Sequence, residues 1–174
     1  MIIEGNYAEH EAAIDIAKAM CAAARTAPKT KGIDNIVTLV LTDEDVKELG
    51  EKMCEVGAGS FLERDGGNVL KSDAVVLIGV KRAYNGLNCG YCGYPTCAAC
   101  EEGSGECAFS TIDLGIAVGS AVSVAADNRA DNRVMYSVGK VYSMMHPDDE
   151  HIIWLGIPVS VSGKSPYFDR KKKQ

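Results

Sequence analysis

Five of the chain's seven cysteines fall between residues 88 and 107, in NCGYCGYPTCAACEEGSGEC, with the spacing Cys89-x2-Cys92-x4-Cys97-x2-Cys100-x6-Cys107. Thiols this crowded are candidate thiolate ligands. A cubane iron-sulfur cluster needs four thiolates arriving from different directions. A Cys-x2-Cys turn followed closely by a third cysteine lets one loop supply three, with a more distant cysteine as the fourth. Gly90 and Gly93 permit positive φ and close backbone approach, so amide N–H groups can point at sulfur and offset its negative charge. Pro95 stiffens the turn between ligands. Zinc is the competing reading, because two Cys-x2-Cys pairs also build zinc sites. Such pairs usually stand about 15–20 residues apart. Here only Gly93, Tyr94, Pro95 and Thr96 separate Cys92 from Cys97, which favours a cluster.

The 174 residues, 47% hydrophobic and 24% charged, suit one compact domain over 1–174, within which 88–107 is a ligand-bearing loop. A net charge of -6 speaks against nucleic acid, which requires a basic stripe to neutralise phosphates. The basic run at 170–173 is read as a solvated end. The opening MIIEGNYAEH has no basic region ahead of an apolar run, so no secretory signal is read and a cytoplasmic location is expected. In a reducing compartment clustered cysteines bind metal or act in redox chemistry more often than they form disulfides. The most apolar stretch, residues 114–126, is shorter than the roughly 20 residues of a membrane-spanning helix. No membrane partner is expected.

The elements that must position the loop follow from periodicity. Residues 7–27 carry Ala13, Ile14, Ala17, Met20, Cys21 and Ala24 at helical spacing, and Pro28 ends the helix. Residues 36–41 form a β-branched strand, and Thr42 is expected to cap a following helix with Asp43, Glu44 and Asp45 in its first turn. Val46, Leu49, Met53 and Val56 are its apolar face. AVVLIGV, residues 74–80, has the pattern of a strand buried on both faces and leads straight into the cysteine loop. Residues 109–128 then read as a long, mostly buried helix. Gly115, Gly119 and Ser123 leave one side of it flat, either for core packing or for a dimer contact. The DNR repeat at 127–129 and 131–133 is expected at a solvated helix end, residues 134–145 as a helix, and 151–161 as a strand. Cys21 and Cys54 are taken as core residues, His10 as a surface residue, and His146 and His151 as flanks of a turn. Tyr91 and Tyr94 are placed either to shield the cluster or to pack the loop.

CGYCGYPTC resembles the C-G-x-C-G-x-x-T-C element of the small four-iron cluster domain of electron-transfer subunits and corrinoid iron-sulfur proteins. That resemblance implies Cys89, Cys92 and Cys97 as three metal ligands and, by position, Cys107 as the fourth, with Cys100 where that family commonly has a non-ligand. Over nearly the whole chain, AARTAPKTKGIDNI, SDAVVLIGV, the cysteine loop, IDLGIAVGSAVSVAADNRADNRVMYSVG and GIPVSVSGKSPYFDR resemble the uncharacterised bacterial and archaeal ferredoxin-domain proteins. The first and last segments are distantly similar to nitroreductases. The implied fold is α+β, a nitroreductase-like α/β sandwich with an inserted cysteine-rich iron-sulfur loop. It also implies a homodimer built on the helix at 111–126, with FMN near the subunit interface. The nitroreductase phosphate motif has no counterpart before Arg25, and Gly32 stands about where that family has an Asn near the flavin ring. Arg25, Lys29, Lys164 and Arg170 are the cations left to surround a flavin phosphate, against the alternative of ordinary surface charge.

These readings lead to an electron-transfer protein carrying one 4Fe-4S cluster, with donor and acceptor redox proteins as partners. An FMN-dependent oxidoreductase fed by the cluster is the first alternative. A structural zinc protein acting as an interaction module is the second.

Overall fold

The computed structural model describes residues 1–149 and 151–168. Its central strand, β2 (Ala74–Lys81), is buried from Ala74 to Val80. With both faces covered, its backbone groups are satisfied laterally by antiparallel pairing to β1 (Ile36–Thr42) on one side and β4 (Ile152–Ser160) on the other. The two-residue β3 (Asp131–Asn132) pairs with the far side of β4, giving the order β1-β2-β4-β3.

Strand alternation divides the core in two. Ala74, Val76, Ile78 and Val80 face α1 (Gly5–Thr26) and α5 (Ala108–Asp127), meeting Ala17, Met20, Leu114, Ala117 and Ala121. Val75 and Leu77 face α2 (Asp43–Val56), α3 (Phe61–Val69) and α6 (Tyr136–Met145), among Leu49, Met53, Val69 and Val138. Helices on both faces of an antiparallel sheet make the α+β sandwich that the sequence led us to expect.

α1 buries Ala13, Ala17, Met20 and Ala24, a single stripe at helical spacing. Its C-terminal end is closed by Lys29, whose ammonium donates to the carbonyls of Ala24 (3.3 Å), Arg25 (2.5 Å) and Ala27 (2.7 Å). α2 has the three carboxylates in its first turn and Thr42 at the N-cap, but the hydroxyl makes no capping bond. The next residue, Asp43, has φ of 48°, a left-handed start that departs from ordinary cap geometry. α3 buries the polar Asp65 and Asn68 beside Gly66 and Val69, and Ser60 caps it by accepting from the Leu62 amide at 3.1 Å.

Several expectations are corrected. α5 is long, but seven of its twenty residues are buried: Ser110, Asp113, Leu114, Ala117, Val118, Ala121 and Ala125. Its mean hydropathy reaches that of a membrane span, and its length reaches 20 residues. On the face carrying Gly115 and Gly119 a would-be Cβ meets nothing within 4 Å, so none of the described residues packs against these two glycines. The DNR repeat is no continuous helix: α5 ends at Asp127, Arg129 has φ of 60°, and 131–132 is β3. Cys21 and Cys54 are half-buried rather than core. His10 bridges Asp73 (3.2 Å) and Asp43 (3.6 Å), tying α1 to the start of β2 and of α2. The stretch after β4 contains a buried anchor that its loop-like composition conceals, Tyr167, whose hydroxyl meets Ser72 Oγ at 3.0 Å.

At the glycines of the sandwich, the closest approach is that of α6 on β4. A Cβ on Gly139 would stand 1.9 Å from the Trp154 carbonyl oxygen, and one on Gly156 would stand 2.1 Å from Val138 Cγ1. We expect Gly139→Ala to lower stability by about 3 kcal/mol through overpacking against backbone, read as a lower urea midpoint at unchanged slope. A Gly67→Ala control, where a Cβ meets nothing within 4 Å, should not lose stability.

Candidate metal centre

The cysteine loop leaves β2 and returns at α5, and its two arms are stitched together. Arg82 Nε donates to Glu106 Oε1 at 2.8 Å, with a second close contact from its Nη2, and Tyr84 Oη donates to the Gly105 carbonyl at 3.0 Å. Ser110 Oγ donates to the Ala83 carbonyl at 3.0 Å. The loop they join encloses a cavity lined by all five loop cysteines, with Tyr84, Asn85, Asn88, Tyr94 and Phe109 also in its lining.

Local backbone chemistry aims the sulfurs. Asn88 sits at φ 49°, a left-handed position that Asn tolerates better than most residues. From there its side-chain oxygen accepts from the Cys97 amide at 2.8 Å, while its own amide donates to Cys97 Sγ at 3.4 Å. Gly90 (φ 75°) and Gly93 (φ 84°) form the turn between Cys89 and Pro95, closed by Gly93 N–H to the Gly90 carbonyl at 2.9 Å. Thr96 then caps the short α4 (Cys97–Glu102), accepting from the Ala99 amide at 3.1 Å. Tyr94 packs the loop, filling the space that a Cβ on Gly103 or Gly105 would need. Tyr91 is 74% exposed and stacks on Phe109, with ring centroids 5.7 Å apart. Tyr94 also lines the cavity, whereas Tyr91 lies outside its lining.

The five thiols are not equivalent. Cys89 is exposed, Cys92 and Cys97 are half-buried, and Cys100 and Cys107 are buried. Burial, then the neighbouring Cys92 thiol, then the Cys107 and Cys97 charges push Cys100 up to about 11. Burial also opposes ionisation of Cys107. There it is outweighed by backbone donors from Ser110, Asn85 and Phe109 and by the Asn85 side chain, so this thiol is held below its ordinary value. The Asn85 Nδ2 to Cys107 Sγ bond is 3.5 Å long. Cys107 is also the N-cap residue of α5, at the positive end of a twenty-residue helix dipole.

A second anchor joins this wall to the turn after α1. Asp113, buried on α5, accepts the Thr30 amide at 3.0 and 3.1 Å and the Thr30 hydroxyl at 2.9 Å. Lys31 Nζ donates to the Asn85 backbone carbonyl at 3.2 Å. Asn85, Asn88 and the Thr30–Asp113 pair were not identified from sequence. An Asn directly before Cys89 is a turn signal, but nothing local to Asn85 or Asp113 marks its partner.

Of the four candidate cations, Lys29 is committed to the α1 carbonyls and its side chain is 6% exposed. Arg25 pairs with Asp34 at 2.5 Å and donates to the Ile36 carbonyl at 2.7 Å. Lys164 is exposed in the loop after β4, and Arg170 lies outside the described residues. Arg25 and Lys29 are thus brought together, but around Asp34.

The donor set fits an iron-sulfur cluster: five thiols on one cavity, amide donors at two sulfurs, and glycine turns that bare the backbone between ligands. Among the described residues, no three Cys, His, Asp or Glu side chains are grouped to hold a single metal ion.

The fold is that of the nitroreductases. A protein assigned as a nitroreductase from Desulfovibrio desulfuricans, in complex with FMN, superposes with a TM-score of 0.59 at 12% identity, covering 90% of this chain and 78% of that one. A nitroreductase family protein of Clostridium novyi gives 0.57 at 16% identity, covering 97% and 79%. Within that fold the chain belongs to the family described as uncharacterized proteins containing a ferredoxin domain (DUF2148), which matches residues 103–170. An uncharacterized protein of Archaeoglobus fulgidus is 40% identical over 166 residues, 89% of this chain and 90% of that protein.

Cys92→Ala should abolish cluster assembly, measured as iron and acid-labile sulfide in anaerobically purified protein, because three thiolates leave an iron open to water and oxygen. Cys107→Ser should lose iron far more than Cys100→Ser. Loss from the Cys100 variant alone would make Cys100 the fourth ligand.

Proposed function

We propose that the protein is a cytoplasmic redox protein that carries one iron-sulfur cluster, four-iron by its donor set, and passes electrons between partner proteins. Cys89, Cys92, Cys97 and Cys107 are its ligands. The observation that carries this reading is the convergence of all five loop cysteines on one cavity with N–H donors at Cys97 and Cys107. Such a cluster supplies one-electron transfer at a potential set by hydrogen bonds to sulfur, burial and charge. The chain's own part is to hold four sulfurs in different directions, donate to two of them, and cover one side with Phe109 and Tyr94. Cys89, the exposed thiol, lies on the side open to a partner. Thiols crowded this closely for ligation suit a reducing compartment.

A second reading, an FMN-dependent oxidoreductase with the cluster as feeder, is favoured by the nitroreductase scaffold and its FMN-bound neighbour. Because Arg25 and Lys29 are already engaged, Lys164 is the described candidate cation left to meet the phosphate. The experiment is the iron, sulfide, zinc and flavin content of anaerobic protein, with its visible spectrum before and after dithionite. About four irons and four sulfides with a bleachable brown band are expected. Stoichiometric flavin beside them would favour the second reading, and one zinc without iron would overturn both.

We further propose a homodimer across the open face of α5. Ile112 and Ile116 are 43% and 41% exposed there, beside Gly115 and Gly119, and small residues at this spacing let two helices approach closely. Gly119→Arg should convert a dimer to a monomer by light scattering while leaving iron content unchanged.

A further inference from the structure

The turn after α1 contains a lysine in a conformation that glycine adopts more readily. Lys31 has φ of 57° and ψ of 14°, the left-handed region that a glycine occupies without strain and a lysine does not. The adjacent Gly32, at φ 70°, shows that glycine is used where this turn needs it. A strained non-glycine residue is a reason to ask what its side chain does. Its ammonium donates to the carbonyl of Asn85, 54 positions away in the chain, and the amide of that same Asn85 donates to Cys107 Sγ. Among the described residues Lys31 forms no ion pair, unlike Arg25, Lys29 and Arg82.

The turn is also fixed in place. Thr30 is bound through its amide and hydroxyl to Asp113, six positions after Cys107 on the same helix. One side of the turn is thereby fixed to α5 and the other to the loop wall. Asp113 is the carboxylate facing this turn, and its charge opposes that of Lys31, but the Thr30 donors take up both of its oxygens.

We propose that Lys31 tunes the cysteine site electrostatically, holding a positive charge against the segment that donates to Cys107 so that the reduced, more negative state is favoured. This rests on the iron-sulfur reading above. Lys31 touches no ligand sulfur; it acts through Asn85 and through its field, and is a positioning residue. Because Lys31 is exposed, its influence is screened by salt.

The test is the midpoint potential of the anaerobic, iron-replete protein, followed by visible spectroelectrochemistry at low and high salt. Wild type is compared with Lys31→Met, Lys31→Gly and Lys31→Arg. The Met and Gly variants should keep wild-type iron and sulfide content yet shift to a more negative potential, and the shift should shrink at high salt. Arg should restore the wild-type value. The Gly variant should melt no earlier than wild type, since it relieves the φ strain, so its shift would not be an effect of lost stability. An unchanged potential in iron-replete Met and Gly variants would overturn the tuning role alone. Loss of iron from the Met variant would make Lys31 an assembly residue and would equally overturn it. Wild-type protein without iron and sulfide would remove the cluster reading, and this inference with it.

Discussion

The structure depends on the double burial of β2. A strand covered on both faces exposes no backbone edge to water, so its polar groups must pair laterally and its side chains need a helix layer above and below. β1 and β4 supply the pairing. α1 and α5 form one layer, with α2, α3 and α6 as the other. Because β2 ends at Lys81 and α5 starts at Ala108, the loop between them is held by two elements that contribute to the core. A metal-ligand loop needs such supports, since sulfur positions must be held before the ion or cluster arrives.

Within the loop, low dielectric acts in two directions. Burial makes a thiolate costly and makes each hydrogen bond to it stronger. At Cys100 burial meets other sulfurs and few donors, and the thiol is pushed up. At Cys107 it meets three backbone donors, the Asn85 amide and the start of α5, and the thiol is held down. Two cysteines seven positions apart, both buried, are therefore different chemical groups, because other sulfurs surround one and N–H donors surround the other.

α5 links this site to the rest of the molecule. Its N-terminus holds Cys107, its buried face fills one core layer through Leu114, Ala117, Val118 and Ala121, and Asp113 ties it to the turn after α1. Its remaining face is apolar and open, with only 39% of its most apolar window buried. Apolar composition reports that a helix seeks cover; it does not report whether the cover is its own chain.

The sequence alone determined what is local. Apolar spacing in α1 and α2, the continuous run in β2, and the thiol spacing of the loop are all set by neighbours within a few residues, and each was legible. So was the family, through CGYCGYPTC and the segments around it. Tertiary structure decided the rest. It placed Lys29 on the end of α1 and Arg25 on Asp34. It left Gly115 and Gly119 outside the core, and made Tyr167 a buried anchor. It joined Thr30 to Asp113 and Lys31 to Asn85, pairs 83 and 54 positions apart. The physical reason is range. Periodicity and turn chemistry arise from the backbone's own repeat, whereas the environment of a charge or a sulfur depends on groups that only folding brings near.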